Sequence, residues 1–154
     1  LHAFTTERYI REVTVPIIDK ALGEAGRERG DFEIAHIPFV ICDQNEEAFE
    51  ASRRDVKAQI AFYGSTPAYK GVLDLHGWGD LQPELNRLSK LGRWDHMAGL
   101  IEPDMLNAFA VMGDPTQVAS EIKTRFGGMI DRVNVNIGYD DETVTGIIRR
   151  LKQI

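Results

Sequence analysis

The segment Phe32–Cys42, FEIAHIPFVIC, constrains this chain most. It is mostly apolar and rich in aromatic and β-branched residues. That pattern predicts a strand buried on both faces. Pro38 weakens the strand, because it removes one ladder donor. Asp43 and Glu46 then stand at capping-box spacing, and Phe49, Val56, Ile60 and Tyr63 form one helical stripe. A strand followed by a capped helix is one βα unit.

The same unit recurs near the end. Asp114-Pro115-Thr116-Gln117 opens a helix with a cap, a first-turn proline and a reach-back glutamine. Val118, Ile122 and Phe126 form its apolar stripe, and Gly127-Gly128 stops it. Residues 130–137, IDRVNVNI, then alternate at their end: Val133, Val135 and Ile137 on one face, Asn134 and Asn136 on the other. A last helix follows Asp140 and Asp141, with Val144, Ile147, Ile148 and Leu151 as its stripe.

Before the first unit, Leu1–Phe4 reads as the tip of a strand. Thr5 and Thr6 are candidate caps of a helix striped by Ile10, Val13, Ile17 and Ala21, which Pro16 should kink or split. Residues 64–113 read as short helical pieces broken by Gly and Pro. They make an insertion longer than a connection requires, of the kind that often covers a binding face. The whole is one α/β domain, 1–154, with parallel strands covered by helices. Two complete strands and a tip cannot close an eight-stranded barrel, so either the sheet is open or partner chain is missing. The first residue is Leu rather than Met, and the expectation is a fragment, a processed product or a trimmed form.

The 154 residues suffice for a real core. The net charge of −6 argues against binding a phosphate backbone, so no nucleic-acid partner is expected. No apolar run reaches transmembrane length and no signal segment opens the chain, so a cytoplasmic, membrane-free protein is expected. Cys42, the single cysteine, excludes an internal disulfide and reads as a small core residue. The sequence has no GxxxxGK, CxxC or HExxH, so no phosphate loop and no metal site are expected.

Three segments, LHAFTTERYIREV, QIAFYGSTPAYKGVLDLHGWGDL and FAVMGDPTQVASEIKTRFGGMIDRVNVNI, together resemble the luciferase-like oxidoreductases, in the class that uses the deazaflavin coenzyme F420. The middle segment is the most specific to that class. GDPTQVASEI also recurs in relatives that use flavin mononucleotide. The resemblance implies the C-terminal part of a TIM (β/α)8 barrel, holding the end of the sixth strand, the seventh and the eighth, with the insertion over the catalytic face. It implies hydride transfer between reduced F420 and an organic substrate. The alternatives are a flavin-mononucleotide monooxygenase and a non-catalytic α/β binding module. A small-molecule substrate is implied, along with self-association or association with a missing N-terminal half.

Each candidate site residue has a functional and a plain role. His2 would contact cofactor or substrate, or be a frayed end. Thr5 and Thr6 would bind a phosphate or simply cap. Tyr63, Ser65 and Tyr69 flank a Gly-Ser turn and would wall a planar-ring pocket, or else end a core stripe and cap the next helix. His76 stands beside Trp78 in a turn and is the candidate proton-handling group, though a lone histidine is more often structural. His36 and His96 have weaker claims. Asn136 would point into the barrel, toward the site or into a structural amide network.

Overall fold

The computed structural model describes residues 1–42, 45–135 and 140–153. A helical rod comes first: α1 (Glu7–Tyr9), a π-helical turn (Ile10–Thr14) and α2 (Val15–Glu24). Strands β1 (Ala35–His36) and β2 (Phe39–Ile41) follow, then α3 (Glu46–Gly64). Four short helices come next: α4 (Lys70–Leu75), α5 (Leu81–Lys90), α6 (Trp94–Gly99) and α7 (Pro103–Phe109). The chain ends with β3 (Ala110–Met112), α8 (Pro115–Phe126), β4 (Arg132–Val133) and α9 (Asp141–Leu151).

Both strand pairs are parallel. β2 pairs with β3 in the register Phe39 with Ala110 and Ile41 with Met112, and β1 pairs with β4. Alternation assigns the faces of the first pair. Phe39, Ile41 and Ala110 enter a core built by α3–α7 and Phe4. Val40, Cys42 and Val111 enter a second core with α8, Ile147 of α9 and Ile10 of the rod. Apolar side chains on both faces are what a buried parallel pair requires.

Three expectations from sequence need correction. The single strand over 32–42 is two, broken at Ile37-Pro38, and the two pieces take different partners. Proline, which brings no N–H to a ladder, sits where the pairing changes hands. Second, Ala110–Met112 is a strand, although the helical insertion was drawn through Gly113. Third, Leu1–Phe4 forms no strand. The described chain is thus mixed α/β, mostly helical with small parallel sheets.

The rod also departs from its expected stripe. Ile17 is 62% exposed, Ala21 is exposed, and Leu22 is buried. The cause is the π-helical turn, in which Val15 N–H donates to Ile10 O. It adds one residue to a turn just before Pro16 and so rotates every later position. The inward face becomes Ile10, Val15 and Leu22. The helical run continues without a break through Pro16. This proline follows the π turn in the first turn of α2, where a missing N–H costs least.

The caps mostly match the sequence. Asp114 accepts from Thr116 and Gln117 N–H while Gln117 reaches back, and Asp140 accepts from Thr143 N–H. At α3 the cap is Asn45, which accepts from Ala48 N–H at 2.8 Å. Asp43, the expected cap, lies outside the described residues.

Candidate functional site

The N-terminal segment lies against the helical excursion, and aromatic rings line the seam. His2 stacks on Tyr69 (centroids 5.1 Å, 23°) and meets Tyr63 edge-on at 4.6 Å. Phe4 lies 5.5 Å from Tyr69 and stacks on Phe109 at 4.7 Å. Phe109 leads to Trp78, and Trp78 stacks on His76 at 4.5 Å and 9°. Phe4 and Phe109 are buried, while Tyr63, Tyr69, His76 and Trp78 are half-buried and His2 is exposed. The strip therefore has an apolar floor and a partly open rim with polar tips.

Local chemistry explains the placement. Tyr63 is the last residue of α3 before Gly64, where a Cβ would lie 3.1 Å from Leu85 Cδ1, so that the leucine would have to give, and in ordinary contact with Phe4. Ser65 follows as the C-cap of α3. Its hydroxyl donates to Phe62 O at 2.6 Å, and its own carbonyl accepts from Gln82 Nε2 and Asn86 Nδ2, each at 3.0 Å. Ser65 thus joins α3 to α5, and its hydroxyl is directed back at its own helix rather than at the seam. His76 ends α4, and Gly77 after it takes φ +77°, which lets the chain reverse and lay Trp78 on the imidazole.

His76 is the hydrogen-bonded titratable group of the strip. Its Nε2 lies 2.8 Å from Thr6 Oγ1, and the same oxygen accepts from Tyr9 N–H as the helix cap. Burial pushes the His76 pKa below its ordinary value and nearby Arg8 adds to this, while Glu12 pulls the other way. The ring is therefore neutral at pH 7 and can donate or accept one hydrogen bond.

Of the residues singled out from sequence, His2, Tyr63 and Tyr69 come together in one cluster. His76 joins them through Phe4, Phe109 and Trp78. Thr6 caps the rod and contacts His76, and Thr5 is buried beside it. Asn136 lies outside the described residues. Asn134 is exposed while Val135 is buried, so the alternation holds that far. His36 is 1% exposed, edge-on to Phe126 at 4.9 Å, and burial drops its pKa to about 4. His96 is exposed on α6. Phe4 and Phe109, the floor of the strip, were not readable as site residues, since buried phenylalanines carry no signal distinct from core. Two clefts of about 430 Å³ each lie against β4, one of them lined by His36, Asn134 and Ile148. Neither touches the strip. The strip is an open wall, and it holds the hydrogen-bonded imidazole of His76. No cluster of metal-capable side chains occurs among the described residues. Among them, too, no helix is long and apolar enough to cross a membrane.

Residues 1–132 match the luciferase-like monooxygenase family model. The chain belongs to the luciferase-like monooxygenase family. An uncharacterized protein of Mycobacterium tuberculosis is 46% identical over 132 residues, covering 86% of this chain and 39% of that protein. A 5,10-methylenetetrahydromethanopterin reductase of Methanopyrus kandleri is 31% identical over 144 residues, covering 89% of this chain and 39% of its own length. A second reductase of that name, from Archaeoglobus fulgidus, is 28% identical over 117 residues, covering 72% of this chain and 34% of its own. The chain thus spans about two fifths of the length of the curated relatives it matches. No solved structure matches it.

Proposed function

We propose that this chain is part of an oxidoreductase that moves a hydride between the reduced deazaflavin coenzyme F420 and an organic substrate. The aromatic strip would form one wall of the pocket. The single observation carrying this is the cluster of His2, Tyr63 and Tyr69, held at stacking and edge distances with an open rim. Family membership and likeness to named reductases support the reaction class.

The residues present fit the flat ring system of a deazaflavin. Tyr69 and His2 offer a near-parallel face and Tyr63 an edge, over a dry floor of Phe4 and Phe109. The coenzyme, when bound, supplies the hydride. The chain's own residues do the rest. Phe4 and Phe109 exclude water from beneath the wall, Tyr63 and Tyr69 orient what lies on it, and His76 offers a hydrogen bond at its edge. The substrate is a small molecule. Leu1, Phe32, Ile37 and Ile148 are large apolar residues left exposed, and among the described residues the outer strand edges have no ladder partner. Association with further barrel elements or with a second copy would cover them. The setting is cytoplasmic.

Titration of the polypeptide, expressed in its complete natural reading frame, with F420 and separately with flavin mononucleotide tests the reading. Saturable binding of F420 is expected. Tyr69→Ala should weaken it roughly three- to tenfold, the worth of one aromatic contact. Binding of flavin mononucleotide alone would favour the monooxygenase alternative, which the family's name keeps in view.

A further inference from the structure

Thr6 is 2% exposed, so its hydroxyl proton needs an acceptor. Two groups reach its oxygen. Tyr9 N–H, at 3.1 Å, is itself a donor and cannot take the proton. His76 Nε2, at 2.8 Å, can. Among the described residues the proton therefore lies on the line from Oγ1 to Nε2, and the single proton of the neutral imidazole sits on Nδ1. Among the described residues that nitrogen has no hydrogen-bond partner, and it is not among the buried polar atoms left unpaired, so it opens to solvent.

Charging the ring would set a second donor, Nε2–H, against the Thr6 O–H. Arg8 acts in the same direction. Glu12 opposes, and so does the face of Trp78, which attracts a cation. From α4, Lys70 and Asp74 are paired with each other. The geometry can be read without any titration: one buried hydroxyl, one possible acceptor.

We infer that Thr6 is a positioning residue that fixes His76 as its Nδ1–H tautomer, so that the strip presents one neutral N–H donor to the heteroatom of a carbonyl or imine substrate. Its use in catalysis rests on the hydride-transfer reading, whereas the tautomer does not. A bound reduced deazaflavin would supply hydride to the carbon of the C=O or C=N bond and be left in its oxidised form. The π pair moves onto the heteroatom, where the Nδ1–H bond stabilises the developing charge, and a solvent proton completes the product. His76 keeps its own proton throughout.

Long-range ¹H–¹⁵N correlation spectra of the ¹⁵N-labelled chain, recorded from pH 8 to pH 4, test this. His76 is assigned by loss of its signals in His76→Gln. The expected wild-type spectrum has a protonated Nδ1 and an unprotonated Nε2. Thr6→Ser should preserve it. Thr6→Val should move the population toward Nε2–H and raise the titration midpoint by about 0.5–1 pH unit, the worth of one lost hydrogen bond. A wild-type His76 protonated at Nε2 overturns the inference, and so does a folded Thr6→Val with unchanged tautomer and midpoint. Should Thr6→Val fail to fold through loss of its cap, the wild-type spectrum alone decides. Coenzyme titration fails or succeeds independently of these spectra, so the two readings can fall separately.

Discussion

The π-helical turn makes a prediction that separates two nearly identical substitutions. In an uninterrupted α-helix the stripe Ile10, Val13, Ile17 and Ala21 faces inward, and truncating Ile17 creates a cavity. With the extra residue at Ile10–Thr14, Ile17 is 62% exposed and Leu22 is 7% exposed. Leu→Ala in a core costs about 2–5 kcal/mol. Leu22 lies outside both main core clusters, so about 2 kcal/mol is expected. Ile17→Ala removes mostly hydrated surface and should stay within about 0.5 kcal/mol. For a chain of this size each kcal/mol moves the melting temperature by about 2–4 °C. Thermal unfolding followed by circular dichroism should therefore place Leu22→Ala about 4–8 °C below the parent and Ile17→Ala within about 2 °C of it. The reverse order would refute the π turn and restore the regular stripe.

Phe109→Ala removes a buried ring stacked on Phe4, and should cost about 4 kcal/mol and lower the melting temperature by about 8–16 °C; a change under about 3 °C would show that the strip has no packed floor. His36 has a folded pKa of about 4 against an ordinary 6.5, so the folded state binds fewer protons between these values. Its contribution is complete above pH 6.5 and is lost as pH falls toward 4, by at most about 3 kcal/mol; urea midpoints should fall over that window, and His36→Phe should flatten the fall. Asp131 accepts from Ile34 N–H and from Arg29, and these two bonds hold its carboxyl below the ordinary value. Its stabilisation is present above the ordinary Asp range and lost as pH drops through the lowered folded value, so Asp131→Asn should lose less of its urea midpoint than the parent between pH 5 and about pH 2.

What the sequence disclosed was mainly what short-range chemistry decides. Asp114, Pro115 and Gln117 announce α8 because cap, first turn and reach-back bond all lie within four residues. The period-2 pattern at Val133–Val135 and the stripe of α3 are legible for the same reason. β3 was not, because Ala110–Met112 follows α7 with no turn residue between, and a short apolar run fits either state. The π turn was hidden because inserting one residue leaves no compositional mark beyond Pro16. The seam was legible only in part. His2, Tyr63, Tyr69 and His76 were singled out, yet they lie up to 74 positions apart, and only tertiary packing of Phe4 on Phe109 joins them. Ser65 shows the converse: its hydroxyl finds a carbonyl three residues back, a local bond that a turn motif cannot distinguish from a ligand contact.

Contact between the aromatic strip and the coenzyme is the central claim. Chemical-shift perturbation of the His2, Tyr63, Tyr69 and Trp78 ring protons, in the polypeptide of the complete reading frame titrated with F420, measures it directly. Saturable shifts at these rings, with exposed His96 on α6 unmoved, are expected. Saturated binding that leaves all four rings silent would contradict it.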